Sequence, residues 1–120
     1  MTVQEFYKEV GGDYEAAKKI FSMDQMIIRF LPKLASDPSC EQMVTACAAG
    51  DRNGMFQALH SMKGVCANLG LTSLSEKAAE LVEFLRPGSA LTISDEELAV
   101  RIEAIREQFQ MTIGKIGQLG

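Results

Sequence analysis

The chain has 120 residues, of which 47% are apolar and 23% are charged, as expected for one globular domain. Its twelve basic and sixteen acidic residues give a net charge of −4, which argues against a nucleic-acid partner because such binding depends on basic side chains that neutralise phosphates. The sequence shows neither a signal peptide nor an apolar run long enough to span a bilayer, so we expect a cytoplasmic protein with no membrane contact.

The N-terminal third predicts two short helices followed by a longer one. The Thr2-x-x-Glu5 pattern is a capping box and predicts the start of the first helix, and Asp13 predicts the start of the second. Pro32 is expected to kink the third helix, because proline lacks the N–H that a helix interior requires. The apolar stripe of this third helix consists of Met23, Ile27, Phe30 and Leu34.

Two further helices are predicted between Asp37 and Gly70. Asp37-Pro38 predicts the start of the first, which ends at Gly50, because aspartate is a good N-cap and proline fits the first helical turn. Asp51 predicts the start of the second, and Gly70 suits the left-handed residue that ends it. The apolar residues of this second helix recur three and four positions apart: Met55, Leu59, Met62, Cys66 and Leu69.

The last two helices carry the same apolar spacing. Ser73-x-x-Glu76 and Ser94-x-x-Glu97 are capping patterns that predict where they begin. Short connections predict that consecutive helices pack antiparallel. We therefore predict an all-α fold, an up-down four-helix bundle with short additional N-terminal helices, as a single domain over residues 1–120. The three cysteines fall within it and are predicted to be reduced, buried thiols: Cys40, Cys47 and Cys66.

Common enzyme signatures are missing from the sequence. There is no G-x-x-x-x-G-K-[ST], no G-x-G-x-x-G and no G-x-S-x-G, so we predict no ATP site and no nucleophile elbow. A carboxylate-bridged metal pair in a bundle needs Glu-x-x-His twice, and the chain has one histidine. The sequence therefore predicts no metal site of its own.

The single histidine, His60, shares its helix face with Phe56, Lys63, Gly64 and Ala67. Gly64 is unexpected there, because glycine in a helix interior costs about 1 kcal/mol relative to alanine. Its missing side chain would leave room for the backbone of another protein. Lys63 could hold its ammonium near a group attached to the imidazole and offset a phosphoryl charge. The alternative is an ordinary surface histidine without a role.

His60 also opens the segment HSMKGVCANLG, which resembles the H-x-x-K-G-x-x-x-x-L-G signature of the histidine-containing phosphotransfer (HPt) domain. The resemblance is strongest over residues 12–85. It implies a helical bundle whose histidine accepts a phosphoryl group from a receiver-domain aspartate and passes it to another receiver. By this resemblance His60 is the phosphoryl acceptor and donor, Lys63 is the partner of the phosphoryl charge, and Gly64 gives clearance for the docking loop.

The resemblance also implies partners and leaves questions about the site. The partners would be receiver domains of a hybrid sensor kinase and of a response regulator, with Phe56 and Ala67 at the contact. The receiver would supply Mg²⁺ and the in-line geometry, so the domain would be a carrier with no cofactor of its own rather than an enzyme. Many family members place a polar side chain on the next helix against the histidine ring, whereas an ungapped count puts Val82 there, with Glu83 about 100° away around the helix.

An alternative class of function is a helical interaction or scaffold module that docks a receiver or a kinase without being phosphorylated. Met1 and the capped first helix favour a free-standing protein over a segment of a hybrid kinase. An acidic domain that approaches an acidic receiver pocket needs a locally basic or neutral docking face. The placement of Lys63, Arg52 and Lys77 around His60 decides whether this chain has one.

Overall fold

A computed structural model describes all 120 residues, and every regular element in it is a helix. A single 3-10 helix, Leu31–Ser36, accompanies seven α-helices: α1 (Val3–Glu9), α2 (Tyr14–Phe21), α3 (Asp24–Phe30), α4 (Ser39–Ala48), α5 (Arg52–Asn68), α6 (Thr72–Leu85) and α7 (Asp95–Ile116). Helix α5 packs against α4 and α6, and α7 closes the ring by packing against the same two helices. The predicted four-helix bundle with short N-terminal helices is confirmed.

The apolar stripes of the four bundle helices meet in one core. Their buried side chains include Met43 and Ala46 of α4, Met55, Leu59, Met62 and Cys66 of α5, Leu74, Ala78 and Leu81 of α6, and Leu98, Ile102, Ile105 and Phe109 of α7. Burial of such side chains is the main driving force for folding. It also fixes how each helix is rotated about its axis, so the residues of α5 that lie off the stripe face outward.

Four of the predicted N-caps are confirmed by side-chain hydrogen bonds. Thr2, Asp13, Asp51 and Ser94 each accept a hydrogen bond from the backbone N–H three residues further on, at 2.9–3.1 Å. The reciprocal bond of a capping box forms only at Thr2, whose N–H donates to the Glu5 carboxylate. These bonds satisfy amides that the first turn of a helix leaves without a partner.

The predicted cap at Ser73 is wrong. Helix α6 begins at Thr72, two residues before the start that a cap at Ser73 predicts, and its N-cap residue Leu71 makes no side-chain cap. Ser73 instead accepts a hydrogen bond from the side chain of Gln108 in α7, at 2.9 Å, while its N–H donates to the carbonyl of Gly11. The capping pattern is local, whereas both partners of Ser73 come from distant parts of the chain.

Three smaller expectations also need correction. The helix predicted to kink at Pro32 ends instead at Phe30, and a 3-10 helix begins at Leu31. Met23, which was predicted to belong to the apolar stripe of that helix, is exposed. Helix α4 begins at Ser39 with Pro38 as its N-cap, while the Asp37 carboxylate accepts a hydrogen bond from the Ser39 N–H. All three cysteines are free, but Cys47 is only half-buried.

The N-terminal helices hold the turn between α5 and α6. The Tyr7 hydroxyl donates to the carbonyl of Leu69 at 2.7 Å, and burial raises the pKa of this phenol, so it stays protonated as the donor. The N–H of Asp13 donates to the carbonyl of Gly70 at 2.9 Å. Gly70 has a φ of +71°, and a Cβ there would meet the Asp13 carbonyl oxygen at 3.0 Å, so only glycine fits. These contacts fix the C-terminal end of α5.

Candidate functional site

His60 lies in the middle of α5 with its side chain exposed to solvent. Its neighbours Leu59 and Met62 are fully buried in the core, which turns the imidazole away from the bundle. Neither ring nitrogen makes a hydrogen bond within the chain. A neutral imidazole with an unoccupied nitrogen lone pair is a competent nucleophile, so this side chain is chemically available to a partner.

An aromatic side chain lies against the imidazole. Phe56, one turn earlier on α5, stacks on the His60 ring with 6.0 Å between ring centroids and 22° between ring planes. The guanidinium of Arg86, the residue that follows α6, lies over the Phe56 ring at 5.8 Å from its centroid. Arg86 in turn donates a hydrogen bond to the Glu83 carboxylate at 2.9 Å. Helix α6 therefore reaches the histidine face through this arginine.

Lys63 lies one turn after His60 and is half-buried, and its ammonium makes no ion pair within the chain. It is close to Glu83: the hydrogen bond from Arg86 lowers the pKa of that carboxyl most, and the charge of Lys63 lowers it further. Lys63 and the Arg86–Glu83 ion pair thus lie around the stack of Phe56 and His60, and these two cations and one carboxylate carry a net charge of +1, whereas the whole chain carries −4.

Gly64 has no explanation in the packing of the domain. A Cβ built at this residue would meet no atom within 4 Å, and the residue is exposed. Gly54 on the same helix is different, because a Cβ there would lie 2.9 Å from Cγ of Asp51 and 3.1 Å from Cβ of Ala46. The helix-interior glycine beside His60 therefore leaves open space outside the protein, where a partner could approach.

The structure brings together most of the residues singled out in the sequence. Ala67 is exposed on the same face as His60. Val82 is completely buried, so α6 presents no polar side chain from that position to the imidazole. The two other basic residues are held elsewhere: Arg52 donates to the Ile93 carbonyl and to Asp95, and Lys77 donates to Gln108.

One comparison with known proteins identifies the family of the chain. A family model described as the Hpt domain matches residues 25–113. The chain belongs to the Hpt family. The match includes the histidine helix and continues into α7, well beyond the HSMKGVCANLG segment. No curated protein and no solved structure matches the chain.

Sequence reasoning missed Arg86 as a neighbour of this candidate site, and it set Glu83 aside because that residue lies about 100° from Val82 around α6. They are separated from His60 by more than twenty residues, and an ungapped count along α6 pointed to Val82 instead. The signal that could have found them is charge, because they form the i, i+3 pair at the end of α6. No group of three or more His, Cys, Asp or Glu side chains in this Hpt chain is arranged to hold a metal ion, and no helix combines the length and hydropathy of a membrane span.

Proposed function

We propose that this Hpt domain is a phosphoryl carrier of a two-component phosphorelay, with His60 as the residue that accepts and returns the phosphoryl group. The observation that carries the proposal is an exposed imidazole, free of internal hydrogen bonds, beside a glycine whose surface is open. In this arrangement a receiver loop can approach the ring without meeting a side chain from Gly64.

The transfer step needs no base from this chain. The unprotonated nitrogen of the His60 ring attacks the phosphorus of an aspartyl phosphate on the receiver, so that an N–P bond forms while the P–O bond to the aspartate breaks. The aspartate leaves as a carboxylate with the electron pair of that bond, and the imidazole keeps its own proton on the other nitrogen. The reverse reaction with a second receiver returns the phosphoryl group to an aspartate.

Charge around the imidazole favours the phosphorylated state. A phosphoryl group brings close to two negative charges, which the unpaired ammonium of Lys63 can offset. We assign Mg²⁺ and the in-line geometry to the receiver, which makes this domain a protein substrate without an ATP site of its own. Its partners are then receiver domains of a hybrid sensor kinase and of a response regulator, and its free cysteines fit the reducing cytoplasm.

A groove extends the docking face beyond the histidine. His60, Gly64 and Asn68 form one row along α5, about 12 Å from end to end. Asn68 is part of the wall of a groove of about 400 Å³, which the stacked rings of Phe21 and Phe30 line from the α2–α3 side. The open surface over Gly64 therefore leads directly from the reactive imidazole into an aromatic groove.

The groove suits an acidic receiver with an apolar contact side chain. Ile20 and Met23, which flank the groove residue Phe21 in sequence, are 53% and 50% exposed. Residues 18–33 contain four basic side chains and one acidic one, whereas the whole chain has a net charge of −4. At the groove itself, Lys33 lies over the Phe30 ring and Asp37 is the one acidic residue of the lining, so the positive charge lies mainly beside the groove, on α2 and α3. Complementary charge of this kind accelerates the encounter and fixes its orientation.

The test is phosphoryl transfer from a phosphorylated receiver with Mg²⁺, followed by intact-mass analysis for an acid-labile adduct. We expect the wild type to gain one phosphoryl group and His60→Gln to gain none, with the same helical content by circular dichroism. Lys63→Ala is expected to be labelled but to lose the group several-fold faster, because one charge partner is missing. A wild type that binds the receiver without labelling would instead identify a scaffold module, and labelling of His60→Gln would overturn the assignment of His60.

A further inference from the structure

The orientation of the His60 imidazole requires an explanation, because no hydrogen bond holds it. Val82 of α6 is completely buried and presents no polar group to the imidazole. An exposed side chain that no other group restrains samples several rotamers. Restricting it to one rotamer when the partner binds costs conformational entropy. A reactive nitrogen must nevertheless face the phosphorus in line for transfer.

We propose that Phe56 positions the His60 imidazole by stacking, and that Arg86 holds Phe56 in place, so that this stack orients a ring that no hydrogen bond holds. The inference rests on the proposed function, since it concerns the same imidazole. It makes Phe56 and Arg86 positioning residues, because neither needs to contact the phosphoryl group to have this effect.

The geometry of the two contacts supports the inference. The centroid separation of 6.0 Å between Phe56 and His60 falls within the range in which aromatic pairs attract each other, about 4.5–7 Å, and the 22° between planes is that of a stack. Phe56 also packs against the core, which restricts its own motion. Arg86 lies 5.8 Å from the Phe56 centroid, within the distance of about 6 Å at which a cation attracts a ring face.

Glu83 completes the arrangement. Its hydrogen bond with Arg86, at 2.9 Å, holds a guanidinium that would otherwise have many rotamers at the end of α6. The line from Glu83 through Arg86 and Phe56 to His60 therefore connects the imidazole to α6. Stacking restricts the ring plane but occupies neither nitrogen, so the lone pair is available for attack without first breaking a hydrogen bond.

A matched pair, Phe84 of α6 and Arg101 of α7, provides the control. Phe84 is half-buried against the core like Phe56, and the guanidinium of Arg101 lies 5.5 Å from its ring centroid. This pair does not contact the imidazole. Phe84→Leu and Arg101→Gln thus remove the same chemistry, and a similar amount of packing, from a place where it cannot position His60.

The experiment measures His60 ring proton shifts by NMR and phosphoryl transfer as a function of receiver concentration. Phe56→Leu is expected to lose the ring-current shift on His60 and to lower the saturating transfer rate roughly three- to ten-fold, a larger change than any rise in the half-saturating receiver concentration. Phe56→Tyr should restore both readings. Arg86→Gln is expected to lower the saturating rate about two- to five-fold. Phe84→Leu and Arg101→Gln should match the wild type.

Several results would overturn the inference. One is a Phe56→Leu variant with wild-type shifts and a wild-type saturating rate. A second is an increase only in the half-saturating concentration, which would make Phe56 a receiver contact. A third is an equal loss in Phe84→Leu, which would show a general packing effect. Failure of the wild type to accept a phosphoryl group would overturn the proposed function instead, while the NMR shifts would still test the stack.

Discussion

The two sides of helix α5 have opposite surroundings. On the inner side, Leu59 and Met62 are completely buried in the bundle core. On the outer side, the adjacent His60 has no hydrogen bond within the chain, and the surface over Gly64 is open. The side chains of α5 that stabilise the bundle thus lie on its inner side, whereas the outer side presents polar groups and open space to a partner. The comparison predicts that substitutions one residue apart along α5 separate folding from function.

The largest expected effect is the loss of stability in Leu59→Ala. This substitution opens a cavity in the core, so the free energy of unfolding should fall by about 2–5 kcal/mol, as measured by urea denaturation. His60→Ala, its neighbour on the outer side, is expected to change the same quantity by less than about 0.5 kcal/mol. Equal losses at the two positions would show that the outer side contributes to stability after all.

A smaller effect is expected at the apolar edge of the docking face. Ile20→Ser combined with Met23→Ser should weaken receiver binding about ten-fold. The reason is that an apolar side chain which the receiver buries can contribute more than about 1 kcal/mol to the binding free energy. The measurement uses His60→Gln protein as the background, so that binding is separated from transfer. Val100→Ser on α7 is the control, since Val100 is 64% exposed and lies away from this face. If the control weakened binding equally, the groove would not be part of the docking face.

Glycine substitutions on the two sides of α5 sharpen the comparison further. Gly64→Ala should raise the free energy of unfolding by about 0.5–1 kcal/mol, because alanine favours the helix and its Cβ meets no atom of the chain. The same change should weaken receiver docking. Gly54→Ala is expected to destabilise the fold instead, since its Cβ would lie too close to Ala46 and Asp51. Full receiver binding by Gly64→Ala would contradict the role of this glycine in clearance.

The smallest effect is chemical labelling without a change in fold. Burial raises the pKa of the Cys66 thiol to about 12, so this group stays protonated and unreactive across the neutral range. Burial also raises the pKa of Cys40. Alkylation of the native protein at pH 8 is therefore expected at the half-buried Cys47 first, with the other two thiols reacting after unfolding. Mass spectrometry of the digested protein gives the order in which the three thiols are alkylated. Early modification of Cys66 would show that the core opens locally.

Local sequence patterns predicted the elements well, because each depends on residues close together in the chain. The caps at Asp13 and Asp51 and the left-handed Gly70 follow from the conformational needs of helix ends. Ser73 satisfies the same capping pattern but bonds Gln108 and Gly11 instead, and no local rule contains those partners. The capping pattern therefore identified a serine that forms hydrogen bonds but assigned those bonds to the wrong partners.

The candidate site was predictable in the same uneven way. His60, Lys63 and Gly64 lie within five residues and were recognisable as one motif. The approach of Arg86 to Phe56 depends on how α6 is rotated against α5, which core packing decides and a residue count does not. The same packing brings the Arg52 side chain against Asp95 at the start of α7, away from the imidazole.

The contact between the N-terminal helices and the α5–α6 turn determines where this folding unit begins. The family match starts at residue 25, yet Tyr7 and Asp13 supply hydrogen bonds to Leu69 and Gly70 at the end of the histidine helix. Shortening the chain to the matched residues would leave both carbonyls without these donors and would uncover the core side chains that α1 shields. The residues that hold the end of the histidine helix in place therefore extend beyond the residues that the family model matches, by two helices.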